Sequence, residues 1–139
     1  MLHAYPGCFF QKKDGTYCVV FPDLGNISAF GDDFDSTLAS AVDVLAKHIF
    51  NAKLNDDELP PPSDMHMLKP SYDEMLYTRA FINVVSVDAE EYAKTHFERA
   101  VKKTLTIPQW LNESAVAQNV NFSKVLQNAL INELNLNRK

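Results

Sequence analysis

The sequence predicts an α+β chain in two parts, a βββαβ unit followed by a smaller β-α-α unit, and three observations predict it. Short apolar and β-branched runs fill the stretch up to Phe30 and return at residues 79–87, "RAFINVVSV"; between them apolar residues recur at helical spacings of 3 and 4. A second change of period falls in "VKKTLTIPQWLNESA", residues 101–115. Charge reverses at the same place: residues 1–98 hold 16 acidic and 7 basic side chains, a balance of −9, and residues 99–139 hold 2 acidic and 6 basic, a balance of +4. Together these give the net −5 of the 139 residues, and they divide the chain into units at 1–98 and 99–139 with different electrostatic partners.

In the first unit, apolar runs at residues 4–10 and 17–21 flank Asp14-Gly15, a dipeptide suited to a hairpin turn. Pro22 and Asp23 stop the second strand, and residues 27–30 supply a third after a Gly25-Asn26 turn. Asp32 is expected to cap a helix with Asp35 at the reciprocal position, Asp33 adding negative charge at the positive end of the dipole. Phe34, Leu38, Ala41, Val42, Leu45 and Ile49 then form its sheet-facing stripe. The helix must end before Pro60-Pro61-Pro62, and a long polar, methionine-containing connection leads to the fourth strand. Asp88 and Glu91 repeat the capping spacing, which predicts a linker helix over 88–98.

An apolar fraction of 46% supports a real core. Cys8 and Cys18 lie in consecutive strands without the spacing of a zinc or redox motif, so both are expected as buried thiols. With no basic leader after Met1 and no apolar run of membrane-spanning length, the chain is expected in the cytoplasm, with no membrane partner.

The second unit begins with an expected strand over 101–107. Val101, Lys103, Leu105 and Ile107 fall on one face of it, and Lys102, Thr104 and Thr106 on the other. Pro108 opens a helix bearing Trp110, Leu111, Ser114 and Ala115, which stops near Asn119, a residue tolerant of the left-handed conformation. Asn121 or Ser123 caps a last helix carrying Phe122, Val125, Leu126, Ala129, Leu130 and Leu134. About forty residues are too few to bury this much apolar surface alone, so the unit is expected to pair with a second copy. Leu105, Ile107, Leu126 and Leu130 would form the dimer core. The paired strands would then present Lys102, Thr104 and Thr106 as a two-stranded ribbon of the size that enters a DNA major groove.

On these residues two resemblances rest. "VKKTLTIPQWLNESAVAQNVNFSKVLQNAL" resembles a ribbon-helix-helix DNA-binding domain. "YPGCFFQKKDGTYCVVFPDL" with "GDDFDSTLASAVDVL" resembles the N-terminal domain of HicB-type antitoxins, a reduced RNase H-like fold that binds a small toxin. The resemblance implies base-reading residues at Lys102, Thr104 and Thr106 and phosphate contacts at Asn121, Ser123 and Lys124, where a helix start favours an anion. It implies toxin contacts around Phe21, Asp23, Asp32 and Asp33. The implied partners are a small basic RNase, a HicA-like mRNA interferase, operator DNA, and a second copy of the chain, with two or four copies left open. No cofactor is implied. The chain departs from the family in having Gly25-Asn26-Ile27 after "FPDL" and Asn119 at the turn between the last two helices.

RNase H likeness also raises phosphodiester hydrolysis, which needs carboxylates converging on metal ions about 3.5–4 Å apart. Asp14, Asp23, Asp32, Asp33 and Asp35 are available, yet each has a simpler role in a turn, a strand end or a helix start. His3, His48, His66 and His96 are scattered, without paired spacing. No catalytic residue is assigned. The expected function is that of an antitoxin that covers its toxin and represses its own operon, set against a stand-alone repressor with a ligand- or metal-sensing first domain.

Overall fold

The structure, a computed structural model, describes residues 1–97 and 101–136, and the chain divides into two compact units, Met1–Arg99 and Ala100–Lys139. In the first unit, β1 (Leu2–Lys12), β2 (Tyr17–Phe21), β3 (Ile27–Gly31) and β4 (Tyr77–Asp88) form one antiparallel sheet in the order β3-β2-β1-β4. The chain thus leaves the sheet at one edge and rejoins it at the opposite one. Asp14 shapes the β1–β2 turn, its carboxylate accepting from the Thr16 N–H at 3.0 Å. Between β2 and β3 a short 3-10 turn over Pro22–Leu24 leads into Gly25 and Asn26, both left-handed at φ 67° and 60°.

Helix α1 (Phe34–Leu54) covers one face of the sheet. Its stripe Ala41, Leu45 and Ile49 is fully buried against Tyr5, Phe9, Val19, Phe21, Val85 and Val87, with Phe34, Leu38 and Val42 packed at the margin. Phe9 stacks on Phe81 at 5.4 Å between ring centres and tilts against Phe34 at 5.5 Å. Cys8 and Cys18 alternate to the opposite face, where both are buried and free; burial pushes both thiols above their ordinary range.

The cap of α1 is Asp33, one residue later than expected. Asp33 is extended, its carboxylate accepts from the Ser36 N–H at 2.7 Å, and the Ser36 hydroxyl accepts from the Asp33 N–H at 3.3 Å. The Asp32–Asp35 pairing would have set two carboxylates against each other, whereas a carboxylate and a hydroxyl complete the box without repulsion. Gly31 makes this entry possible: a Cβ there would meet the Thr37 nitrogen at 2.6 Å, so only glycine lets β3 end against the first turn. Thr37 is wholly buried, and its hydroxyl donates to the Asp33 carbonyl at 2.7 Å.

Asp88 caps α2 (Ala89–His96), accepting from the Glu91 N–H at 3.2 Å. The end of the expected linker helix at Glu98, and with it the expected unit boundary, lies outside the described residues. Helix α2 packs on α1 through Asp43, which takes the Lys47 ammonium at 2.8 Å and the Tyr92 hydroxyl at 3.1 Å.

In the second unit, α3 (Gln109–Ala117) and α4 (Phe122–Glu133) are present. Asn119 stands between them in the left-handed region at φ 53°, the conformation expected of it. Pro108 sits one position before the first helical residue. Residues 101–107 form no strand within the single chain; the strand expected there would draw its ladder of hydrogen bonds from a second copy.

The Ser36 N–H, and behind it the Ser36 hydroxyl, hold the Asp33 carboxyl below its ordinary range; the Thr16 hydroxyl does the same first for Asp14, and the Glu91 N–H for Asp88. A carboxyl depressed on folding stabilises in full above its unfolded value, about pH 4, and loses that contribution as pH falls through the folded value. Asp33→Asn keeps a capping oxygen but removes the charge. Its thermal midpoint is expected below that of the parent at pH 7, with the gap closing as pH falls below about 4. Melting curves followed by circular dichroism across that range check this, and a gap independent of pH would contradict it.

Candidate functional site

The second unit offers an unfinished interior. Among its described residues none is buried, and Ala115, Val120, Leu126 and Ile131 are the most covered. Residues 101–107 nevertheless alternate: Lys103, Leu105 and Ile107 line an open cleft of about 500 Å³ with Phe122, Val125, Leu126 and Ala129 of α4. Leu105 is still 62% exposed, Ile107 46% and Leu130 50%. Leu130 lies outside the lining. Lys102, Thr104 and Thr106, also outside it, are exposed to solvent.

At the start of α4 the Asn121 side chain accepts from the Lys124 N–H at 3.1 Å, which settles the choice of cap in favour of Asn121. The N–H groups of Phe122 and Ser123 have no helical acceptor, as at any helix start. Lys124 is exposed beside them, while Ser123 reaches the rim of the cleft. The expected phosphate residues therefore share one helix end, but the Asn121 oxygen is already committed to its own cap.

The residues expected to meet a toxin fare differently. Phe21 is completely buried between sheet and helix, so its side chain belongs to the core and offers no surface; burial in β2 is what an apolar strand-end residue facing α1 must adopt. Asp23 is half-buried and takes the Ser63 N–H at 2.8 Å as well as the Ser63 hydroxyl. Asp33 is committed to capping, and Asp32 is exposed just ahead of it. Asp23 thus holds down the segment after the three prolines, a role invisible in the sequence because its partner lies 40 residues away.

The five carboxylates considered for metal-dependent hydrolysis are dispersed over the β1–β2 turn, the end of β2 and the start of α1. Among the described residues no group of three or more His, Cys, Asp or Glu side chains is placed to hold a metal ion. Nor is any helix among them long and apolar enough to cross a membrane.

A four-stranded antiparallel sheet bearing a capped helix, followed by a small α-helical unit with an open apolar cleft, defines the class, and comparison with known proteins defines the family. Residues 5–130 match the family described as the HicB-like antitoxin of bacterial toxin-antitoxin systems. The chain belongs to that family. It is 30% identical to a chain of a toxin-antitoxin complex from Streptococcus pneumoniae, with 96% of this chain and 99% of that one covered and a TM-score of 0.60. It shares its fold with the antitoxin HicB of Burkholderia pseudomallei at 19% identity, with 97% and 98% covered and a TM-score of 0.50. No curated protein matches it.

Removing the Ser63 hydroxyl tests the Asp23 anchor. Ser63→Ala is expected to speed limited proteolysis within residues 60–76 about several-fold while moving the thermal midpoint only slightly, because one local tether is lost and the core is untouched. Cleavage fragments identified by mass spectrometry report it; an unchanged cleavage rate would show that the hydroxyl adds nothing to the tether and leave Asp23 holding only the Ser63 N–H.

Proposed function

We propose that the chain neutralises a small HicA-like RNase through its first unit and, paired through its second, binds operator DNA and represses its own operon in the cytoplasm. The observation that carries the second half is the alternation at residues 103, 105 and 107. These side chains turn into a cleft that one copy leaves open, and Lys102, Thr104 and Thr106 stay outside it. Two copies joined by antiparallel pairing of this stretch would cover Leu105 and Ile107 from both sides and set six polar side chains on one ribbon. That arrangement is a ribbon-helix-helix dimer. The ribbon would read base edges in the major groove, and the α4 N-termini, with Lys124, would take the flanking phosphates.

Support for the first half comes from family membership, from the 30% identity to a chain of a toxin-antitoxin complex, and from charge. Residues 1–98 carry −9 and suit a basic RNA-binding surface, which they would occlude; residues 99–139 carry +4 and suit DNA. The role is that of a binding protein, with the RNase H-like sheet serving as a scaffold.

Lys102→Ala, Thr104→Ala and Thr106→Ala are each expected to weaken binding to DNA from upstream of the gene by about 1–3 kcal/mol without unfolding the protein. Leu105→Asp, which would bury an unpaired charge between copies, is expected to abolish pairing and DNA binding together. Fluorescence titration and sedimentation velocity measure the two effects. Three strand variants with unchanged affinity, or a Leu105→Asp protein that still pairs and binds, would refute the assignment.

A further inference from the structure

The connection from α1 to β4, residues 55–76, is 22 residues long, well beyond the roughly 12–15 at which a loop inside a compact unit calls for an explanation. It is not a slack linker. The Tyr5 hydroxyl donates to the Pro60 carbonyl at 2.6 Å, Leu59 packs on the core, and Ser63 is held by Asp23. Asp64 caps a 3-10 turn over Met65–Met67, accepting from the His66 N–H at 2.9 Å, and that turn lies against β4. Further on, Asp73 accepts from the Met75 N–H at 2.9 Å, and the Leu76 carbonyl accepts from the Lys13 N–H at 3.3 Å.

Among its exposed polar residues this tethered segment also shows large apolar side chains to solvent. Met67 and Met75 are each 77% exposed, and Leu76 is 59% exposed. Met65 and Tyr72 are also exposed. Holding backbone in place costs conformational entropy, and showing large apolar side chains to water returns none of it, so such a surface is maintained for a partner. Methionine is the side chain best able to adapt to one. Charge indicates its sign: Asp56, Asp57, Glu58, Asp64, Asp73 and Glu74 stand against Lys69 alone, a balance of −5 over the segment with histidine neutral. Nucleic acid is repelled, a second copy of the same segment is repelled, and a basic protein surface is attracted.

We infer that residues 55–76 are the docking surface for the small basic toxin, with Met65, Met67, Met75 and Leu76 as its anchors and the carboxylates as a rim that steers the approach. This rests on the antitoxin assignment above and moves the contact away from Phe21, Asp23 and Asp33, whose side chains are committed to the core, a tether and a cap. Because the anchors are exposed, replacing them leaves the core intact.

The probe is a purified small basic HicA-like RNase, sought in an open reading frame beside the gene, titrated onto the intact protein by surface plasmon resonance. Met67→Ala combined with Met75→Ala is expected to raise Kd at least about tenfold, chiefly through faster dissociation. Replacing Asp56, Asp57 and Glu58 by their amides is expected to slow association several-fold at low salt and to leave dissociation nearly unchanged. Circular dichroism and DNA binding of both variants should match the parent. Parent binding with both variants equally tight would overturn the docking surface and leave the antitoxin assignment standing. A parent that fails to bind would overturn the assignment itself. Loss of self-association in the methionine variant, without loss of toxin binding, would make the surface an interface between copies and also overturn the inference.

Discussion

Some 36 described residues in the second unit cannot bury their own apolar side chains, and most of what is specific to this protein depends on that constraint. In a segment of this size the apolar area available for burial barely offsets the entropy of ordering the chain, and disulfides, metals or a second copy usually make up the difference. Neither cysteine of the chain lies there. The two helices are properly begun by Pro108 and by Asn121, with Asn119 between them, yet Leu105, Ile107, Val125 and Leu130 all remain about half exposed or more. Local signals therefore shape the elements, and the proposed pairing with a second copy would supply the burial they lack.

The first unit solves the same problem internally. A single 21-residue helix lies on a four-stranded sheet, and alternation along each strand sends one row of side chains, Tyr5, Phe9, Val19, Phe21 and Val85, into the interface. Leu45 and Ile49 are fully excluded from water there. Its spare surface is of another kind: a tethered acidic segment whose methionines the fold does not cover.

Much of this was legible in the sequence because period and punctuation are local. The hairpin around Asp14-Gly15, the stripe of α1, the cap at Asp88 and the left-handed Asn119 each follow from residues within a few positions of one another. Where the sequence expectation failed, the deciding partner was not the one counted. Asp33 took the cap from Asp32 because Ser36, not Asp35, could complete the box without repulsion. Phe21 was expected at a surface, but strand alternation puts it beneath α1. The Asp23–Ser63 tether joins residues 40 apart, and no periodicity carries that information. Residues 101–107 carry side-chain alternation in one copy without the hydrogen bonds of a strand, and the sequence expectation assigns those bonds to a second copy.

Those hydrogen bonds are the most direct test of the account. Amide hydrogen exchange on the intact protein, resolved residue by residue over 101–107 and repeated at several protein concentrations, reads them without DNA or toxin. If two copies pair this stretch into a ribbon, the amides of alternate residues within it are protected, and that protection weakens on dilution towards the dissociation constant of the pair. Exchange at the rate of unstructured chain at every concentration, with α3 and α4 still protected, would contradict the ribbon and with it the proposed mode of DNA binding.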